Sequence, residues 1–106
     1  MKVYSVAQMH ITDRAWINDY VANVTRLVEA QGGRYLARTS HAECFEGEGA
    51  IPQVFLLIEW PSREVADAFY ASEEYRPYLQ QRTAGARTEM FMVPGEDVTG
   101  AATVRN

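Results

Sequence analysis

The sequence predicts an α+β domain: a βαββαβ chain folded into a four-stranded antiparallel sheet with its helices on one face. Three observations carry this. Strand-like apolar patterning occurs at residues 2–11, 34–47, 53–60 and 88–94, and amphipathic helical segments follow the first and third of these. Only the Gly-rich turn EGEGAIP separates the second and third strands, which makes them a hairpin. A chain of 106 residues leaves room for one such domain. The order is that of the split βαβ, or ferredoxin-like, arrangement.

Each element has its own signal. KVYSVAQMHI alternates as a strand does, and Thr12 or Asp13 stands where the next helix needs a cap. In RAWINDYVANVTRLVEAQGG, residues Trp16, Ile17, Tyr20, Val21, Val24, Leu27 and Val28 fall within an arc of roughly 140° at helical spacing, so one face is buried. Gly32 and Gly33 stop this helix, because glycine accepts the left-handed conformation of a C-cap. RYLARTSHAECFEG is long for one strand and predicts a bulge or bend near Thr39–Ala42. QVFLLIEW runs back until Pro61 ends it, and Ser62 takes the N-cap position. Val65, Ala66, Phe69 and Tyr70 give the second helix its apolar face. A short helical stretch is expected over Glu74–Arg82, and TEMFMVP closes the sheet. The domain is expected to span residues 1–95, with an irregular polar tail at 96–106.

Composition narrows the partners. The formal charge is −4 and the basic residues are scattered, which argues against nucleic acid, whose binders gather Lys and Arg on one face. Cys44 is the sole cysteine, so no internal disulfide forms and a reducing compartment is expected. The first residues lack the continuous apolar region of a signal peptide, and no stretch is long enough to cross a membrane as a helix. A soluble, cytoplasmic protein with neither nucleic-acid nor membrane partners is the expectation.

The strands are apolar on both faces. Val54, Leu56, Ile58 and Trp60 point one way, Phe55 and Leu57 the other; Met90 and Met92 oppose Phe91 and Val93. Helices cover only one face of such a sheet, and large bare apolar patches mark interaction surfaces. In so short a chain the expected cover is a second copy, giving a homodimer.

Most catalytic patterns are missing from the sequence. It has no Gly-rich phosphate loop, no Cys-x-x-Cys, no His-Glu-x-x-His and no nucleophile elbow, so neither metal nor cofactor is expected. Ser62 reads as a cap rather than a nucleophile, and Cys44 as a buried, inert thiol in a strand. Glu59 interrupts the most apolar strand; buried, it would need a partner, for which Arg38 and Arg82 are the candidates. His10 and His41 read as solvated edge histidines able to shuttle protons near neutrality. Tyr20, Tyr70 and Tyr75 read as packing residues with bonded hydroxyls. The sharpest expectation is one cleft between sheet and helices holding Glu59, Arg38 and Arg82, with His41 or Tyr70 at its mouth. These five are the ligand-binding candidates, since an arginine fork suits the carboxylate of a small organic acid. No pair has the spacing of a catalytic constellation, and no catalytic residue is assigned.

Together, GGRYLAR, ECFEG, LLIEWPSREVADAFYASEEY, Arg82 and the closing apolar strand resemble the family called domain of unknown function 1330, over nearly the whole chain to about Gly95. The resemblance implies membership of the dimeric α/β-barrel proteins, in which two ferredoxin-like sheets pack into a shared barrel with the helices outside. Two positions depart from the family pattern: Glu73 stands where Pro is usual, and Thr39-Ser40 where a Gly pair often follows the arginine matched by Arg38. The wider superfamily includes cofactor-free monooxygenases, isomerases, haem-degrading enzymes and binding modules, so fold alone does not give function. The haem-degrading members need a histidine on the helical side, and residues 61–106 contain none.

Two readings follow. One is a small cofactor-free enzyme, a tailoring or isomerising catalyst acting on a small organic molecule in a cleft between sheet and helices; a small organic acid or an aromatic compound is the expected ligand on either reading. The other is a non-catalytic dimer that binds a small molecule or a protein. A pocket where the three charged residues converge favours the first, and a packed, dry interior the second.

Overall fold

A computed structural model of the protein describes residues 1–104. Strand β1 (Val3–Ile11) leads through a turn into helix α1 (Ile17–Ala30), then β2 (Arg34–Thr39), β3 (Val54–Trp60), helices α2 (Arg63–Tyr70) and α3 (Arg76–Gly85), and β4 (Ala86–Pro94). The strands lie in the order β2-β3-β1-β4 and every pairing is antiparallel. This is the ferredoxin-like order expected from the sequence.

Register divides the sheet cleanly. On the helix side Ser5 lies between Ile58 and Met92, and Ala7 between Leu56 and Met90. On the other side Val6 lies between Leu57 and Phe91, and Tyr4 between Glu59 and Val93. The core fills the helix side, where Val3, Val24, Val28, Ile58, Trp60, Ala66, Phe69 and Tyr75 form one buried cluster. Trp60 is 3% exposed and its indole N–H donates to Ser5 Oγ at 2.8 Å. A large apolar side chain buried this fully contributes about 1.5–3 kcal/mol, and the hydrogen bond removes the penalty of an unpaired N–H.

The local stops work as their chemistry requires. Gly32 has φ +84°, and the Gly33 N–H bonds back to the Val28 carbonyl at 3.0 Å, which ends α1. Ser62 Oγ accepts the Val65 N–H at 3.2 Å and caps α2. Ser72 closes the same helix: its hydroxyl donates to the Phe69 carbonyl and accepts the Tyr75 N–H, which leads the chain into α3.

Several local expectations need correction. The helix after β1 starts at Ile17, without a side-chain cap, because Asp13 spends its carboxylate on the Ala15 N–H of the preceding turn. The third helix runs Arg76–Gly85 rather than 74–82. β2 is short, and its bulge lies between Tyr35 and Ala37 rather than near residues 39–42. Residues 40–53 form an irregular connection in which Cys44 is exposed, not buried in a strand. Its thiol faces the Glu46 and Gly47 carbonyls of that loop. The cause is composition: with Glu43, Glu46, Glu48 and two glycines, the segment has little to bury.

Candidate functional site

The helices do not close completely over the sheet. Between them lies a cavity of about 570 Å³, walled by Met9, Leu56, Ile58, Met90 and Met92 of the sheet and by Val24 and Val28 of α1. Val21 of α1 and Tyr70 at the end of α2 also line it and are 38% and 47% exposed. Trp16 is a further wall residue. Its indole N–H donates to the Asp13 carbonyl at 2.5 Å and to the Gly85 carbonyl at 3.3 Å. The ring lies so close to Gly85 that any side chain there would collide with it.

The polar feature of this apolar cavity is a cluster from α1 and α3. Arg82 is 3% exposed, and its Nε donates to the Tyr75 hydroxyl at 3.3 Å. That hydroxyl lies 2.7 Å from the hydroxyl of Tyr20. Arg82 makes no ion pair with a carboxylate among the described residues, and its Nη2 is buried without any hydrogen-bond partner. Burial opposes the charge, but the neighbouring Tyr75 and Tyr20 oxygens outweigh it and hold Arg82 above its ordinary value, so it stays cationic. The Tyr20 hydroxyl is pushed well above the usual phenol range, by burial first and by Tyr75 next, and stays protonated. Aromatic rings back the cluster: Tyr20 meets Trp16 edge-on at 5.1 Å between centroids, and Tyr75 packs on Phe69 at 4.6 Å.

Arg38 also lines the cavity, and the β2 bulge is the reason. In an unbroken strand Tyr35 and Arg38 would point to opposite faces. The extra residue brings both to the helix side, opposite Ile58 and Leu56. There Arg38 stacks over the Tyr35 ring, 4.3 Å from its centroid, and Nη1 donates to Thr25 Oγ1 of α1 at 2.9 Å.

The expected shared cleft does not form. Arg38, Tyr70 and Arg82 line one cavity, but Glu59 lies on the opposite face of the sheet. Its carboxylate pairs there with Lys2 at 3.2 Å and Arg34 at 3.9 Å. Alternation decides this: with Ile58 and Trp60 in the core, Glu59 must point away. His41 sits in the loop after β2, exposed, and does not line the cavity; its backbone N–H donates to Thr39 Oγ1. His10 lies on the outer face opposite Arg87. Sequence reasoning did not couple Tyr20 to Tyr75. The available signal was a tyrosine on the apolar face of each of two helical segments, since a buried phenol requires a partner. Among the described residues no group of His, Cys, Asp and Glu is placed to hold a metal ion, and no helix is long and apolar enough to cross a membrane.

This architecture recurs in known structures. The chain resembles the RPA0582 protein of unknown function from Rhodopseudomonas palustris (TM-score 0.74, 13% identity, 87% of this chain and 80% of that one). It also resembles SnoaB, a cofactor-independent oxygenase from Streptomyces nogalater (TM-score 0.65, 14% identity, 91% and 94%). A third is a dimeric ferredoxin-like protein of unknown function from Jannaschia sp. CCS1 (TM-score 0.67, 10% identity, 89% and 99%). At such identities the likeness establishes the fold alone. None of the curated proteins matches the chain. The family model named domain of unknown function (DUF1330) matches residues 2–96, nearly the whole chain, and the protein belongs to that family.

Proposed function

We propose that the protein binds a small, mainly apolar organic molecule in the cavity between its helices and its sheet, with Arg82 as the fixed polar anchor. The observation that carries this reading is the guanidinium itself. A buried cation without a carboxylate partner is costly, and a folded chain keeps one where something else completes it. The cavity volume of about 570 Å³ is in the range of small-molecule sites, and an apolar wall with few polar groups is their usual make-up. The test is thermal shift and calorimetry with a panel of aromatic and aliphatic compounds. Wild type is expected to bind members of the panel, and Arg82→Met to lose that binding while keeping a cooperative melt. Equal binding by the variant would remove Arg82 from the site.

Catalysis in the same cavity is the second reading, favoured by the hydroxyl pair on Arg82. Donors fixed beside a cation in a water-poor site can stabilise a developing oxyanion. Compounds that bind would then be consumed on incubation, with loss of turnover in Tyr20→Phe, measured by mass spectrometry.

We further propose that a second copy covers the outer sheet face. Phe91 and Val93 are 54% and 42% exposed there, Phe91 in line with Val6 and Leu57 and Val93 opposite Tyr4. The Cα framework measures only 17 Å along its shortest axis, as expected of two layers with one face bare.

A further inference from the structure

The hydrogen-bond bookkeeping of the Arg82 cluster identifies the chemical group it would accept; this rests on the proposed ligand cavity. A guanidinium only donates, so the Nε contact at 3.3 Å makes Tyr75 an acceptor. The two phenols share a single bond at 2.7 Å, which uses one of their two O–H protons and leaves the other without an acceptor, whichever way that bond points. The guanidinium also decides the direction. A hydroxyl that accepts from a cation becomes a better donor, so the chain runs Arg82 to Tyr75 to Tyr20, and Tyr20 carries the spare proton. Nη2 of Arg82 adds a second unspent donor. The cluster therefore offers more donors than acceptors, the Tyr70 hydroxyl beside Arg82 being a further neutral oxygen.

Charge points the same way. Of the other charged residues lining the cavity, Asp67 is paired with Arg63 at 2.9 Å, and Arg38 is committed to Thr25 and the Tyr35 ring on the exposed side. One buried positive charge is left to be neutralised. We infer that the cavity selects monocarboxylates with an apolar body, their carboxylate held jointly by Arg82 and the Tyr20 hydroxyl. In this arrangement Tyr20 determines specificity and Tyr75 positions it. A charge-assisted contact from two fixed donors suits two carboxylate oxygens, whereas an ammonium of the same shape brings only donors and a second positive charge, and a primary amide offers one uncharged acceptor oxygen and leaves the guanidinium un-neutralised.

The experiment compares headgroups on one body. Octanoate and 4-phenylbutanoate are titrated against the corresponding primary amines and amides by calorimetry, with wild type, Tyr20→Phe and Tyr75→Phe. The carboxylates are expected to bind at least tenfold more tightly than the amines and amides. Tyr20→Phe should reduce that preference about tenfold, because the bond lost to a carboxylate is charge-assisted and the one lost to an amide carbonyl is not. Tyr75→Phe should give a smaller loss, as expected of a residue acting through another. If no headgroup binds wild type, the cavity reading fails and this inference with it. If amines or amides bind as tightly as carboxylates, the inference alone is overturned, and the wild-type series decides that without any variant. Unchanged carboxylate affinity in folded Tyr20→Phe also overturns it. Should that variant melt without a cooperative transition, unchanged preference in Tyr75→Phe does so in its place.

Discussion

Tyr20 on α1 and Tyr75 at the start of α3 meet hydroxyl to hydroxyl at 2.7 Å, across 55 residues of sequence. The contact ties the first helix to the third over the cavity, and Gln81 strengthens the tie by donating to Asp19 at 3.2 Å. A buried hydrogen bond of this kind contributes about 1 kcal/mol net. Tyr20→Phe is expected to destabilise the fold by about that much, and Tyr75→Phe by more, because it also removes the acceptor of Arg82 Nε. The double variant should lose less than the sum, because the first change already removes the shared bond. Urea unfolding of the four proteins measures the coupling, and strict additivity would mean that the two hydroxyls do not interact in solution.

Glu59 is expected to have no part in ligand binding. Its carboxylate lies across the sheet from the cavity, between Lys2 and Arg34. These partners are substantially exposed, so the ion pairs contribute at most about 1 kcal/mol. Glu59→Gln should leave every cavity affinity unchanged and lower the melting temperature by a few degrees at most. A loss of carboxylate binding in this variant would return Glu59 to the site.

The misplacement of Glu59 shows what was legible in the sequence. Element order, the apolar helical faces and the two-faced strands were all local patterns, and they led to the correct sheet. Alternation along β3 already placed Glu59 opposite Trp60 and Ile58. Setting it in the cleft gave more weight to the oddity of a charge in an apolar strand than to the period that decides its side. Arg38 illustrates the converse. Its face depends on one extra residue at Leu36, and no glycine or proline stands at the bulge itself to mark its position. Arg82 was named from the sequence, but its lack of a carboxylate is a property of the assembled fold. The segment around Cys44 departs from the expected strand because its acidic and glycine content outweighs what Cys44 and Phe45 could bury.

Ser62 is expected to serve the fold alone. Its hydroxyl accepts the Val65 N–H, and its backbone carbonyl accepts from Ala66. Ser62→Ala should cost about 1 kcal/mol, read as a shift in the urea midpoint at constant slope. Ligand affinity in the folded variant should match wild type, because Ser62 does not line the main cavity. Loss of binding without loss of stability would give this residue a chemical role.

The outer face of the sheet gives the strongest prediction about assembly. Ala37, Leu57, Val6 and Phe91 form one cross-strand row, with Tyr4 and Val93 beside it, on the face away from the helices of the described residues. Two such faces packed together would bury an apolar centre, with Glu59, Arg34, Glu89 and Arg87 nearer the rim. An obligate interface of this kind commonly buries more than about 2,000 Å² in total. A charge placed at its centre must be desolvated without a partner, which costs several kcal/mol per ion. Phe91→Glu puts one on each copy, and symmetry brings the two into the same interface. Light scattering over a dilution series should therefore show wild type as a dimer at micromolar concentration and Phe91→Glu as a monomer. Glu89→Gln, on the same face but further from the centre, should remain dimeric. A wild-type protein that is monomeric and fully folded at micromolar concentration would leave the exposed Phe91 and Val93 without a second copy to cover them, and the dimer would be abandoned.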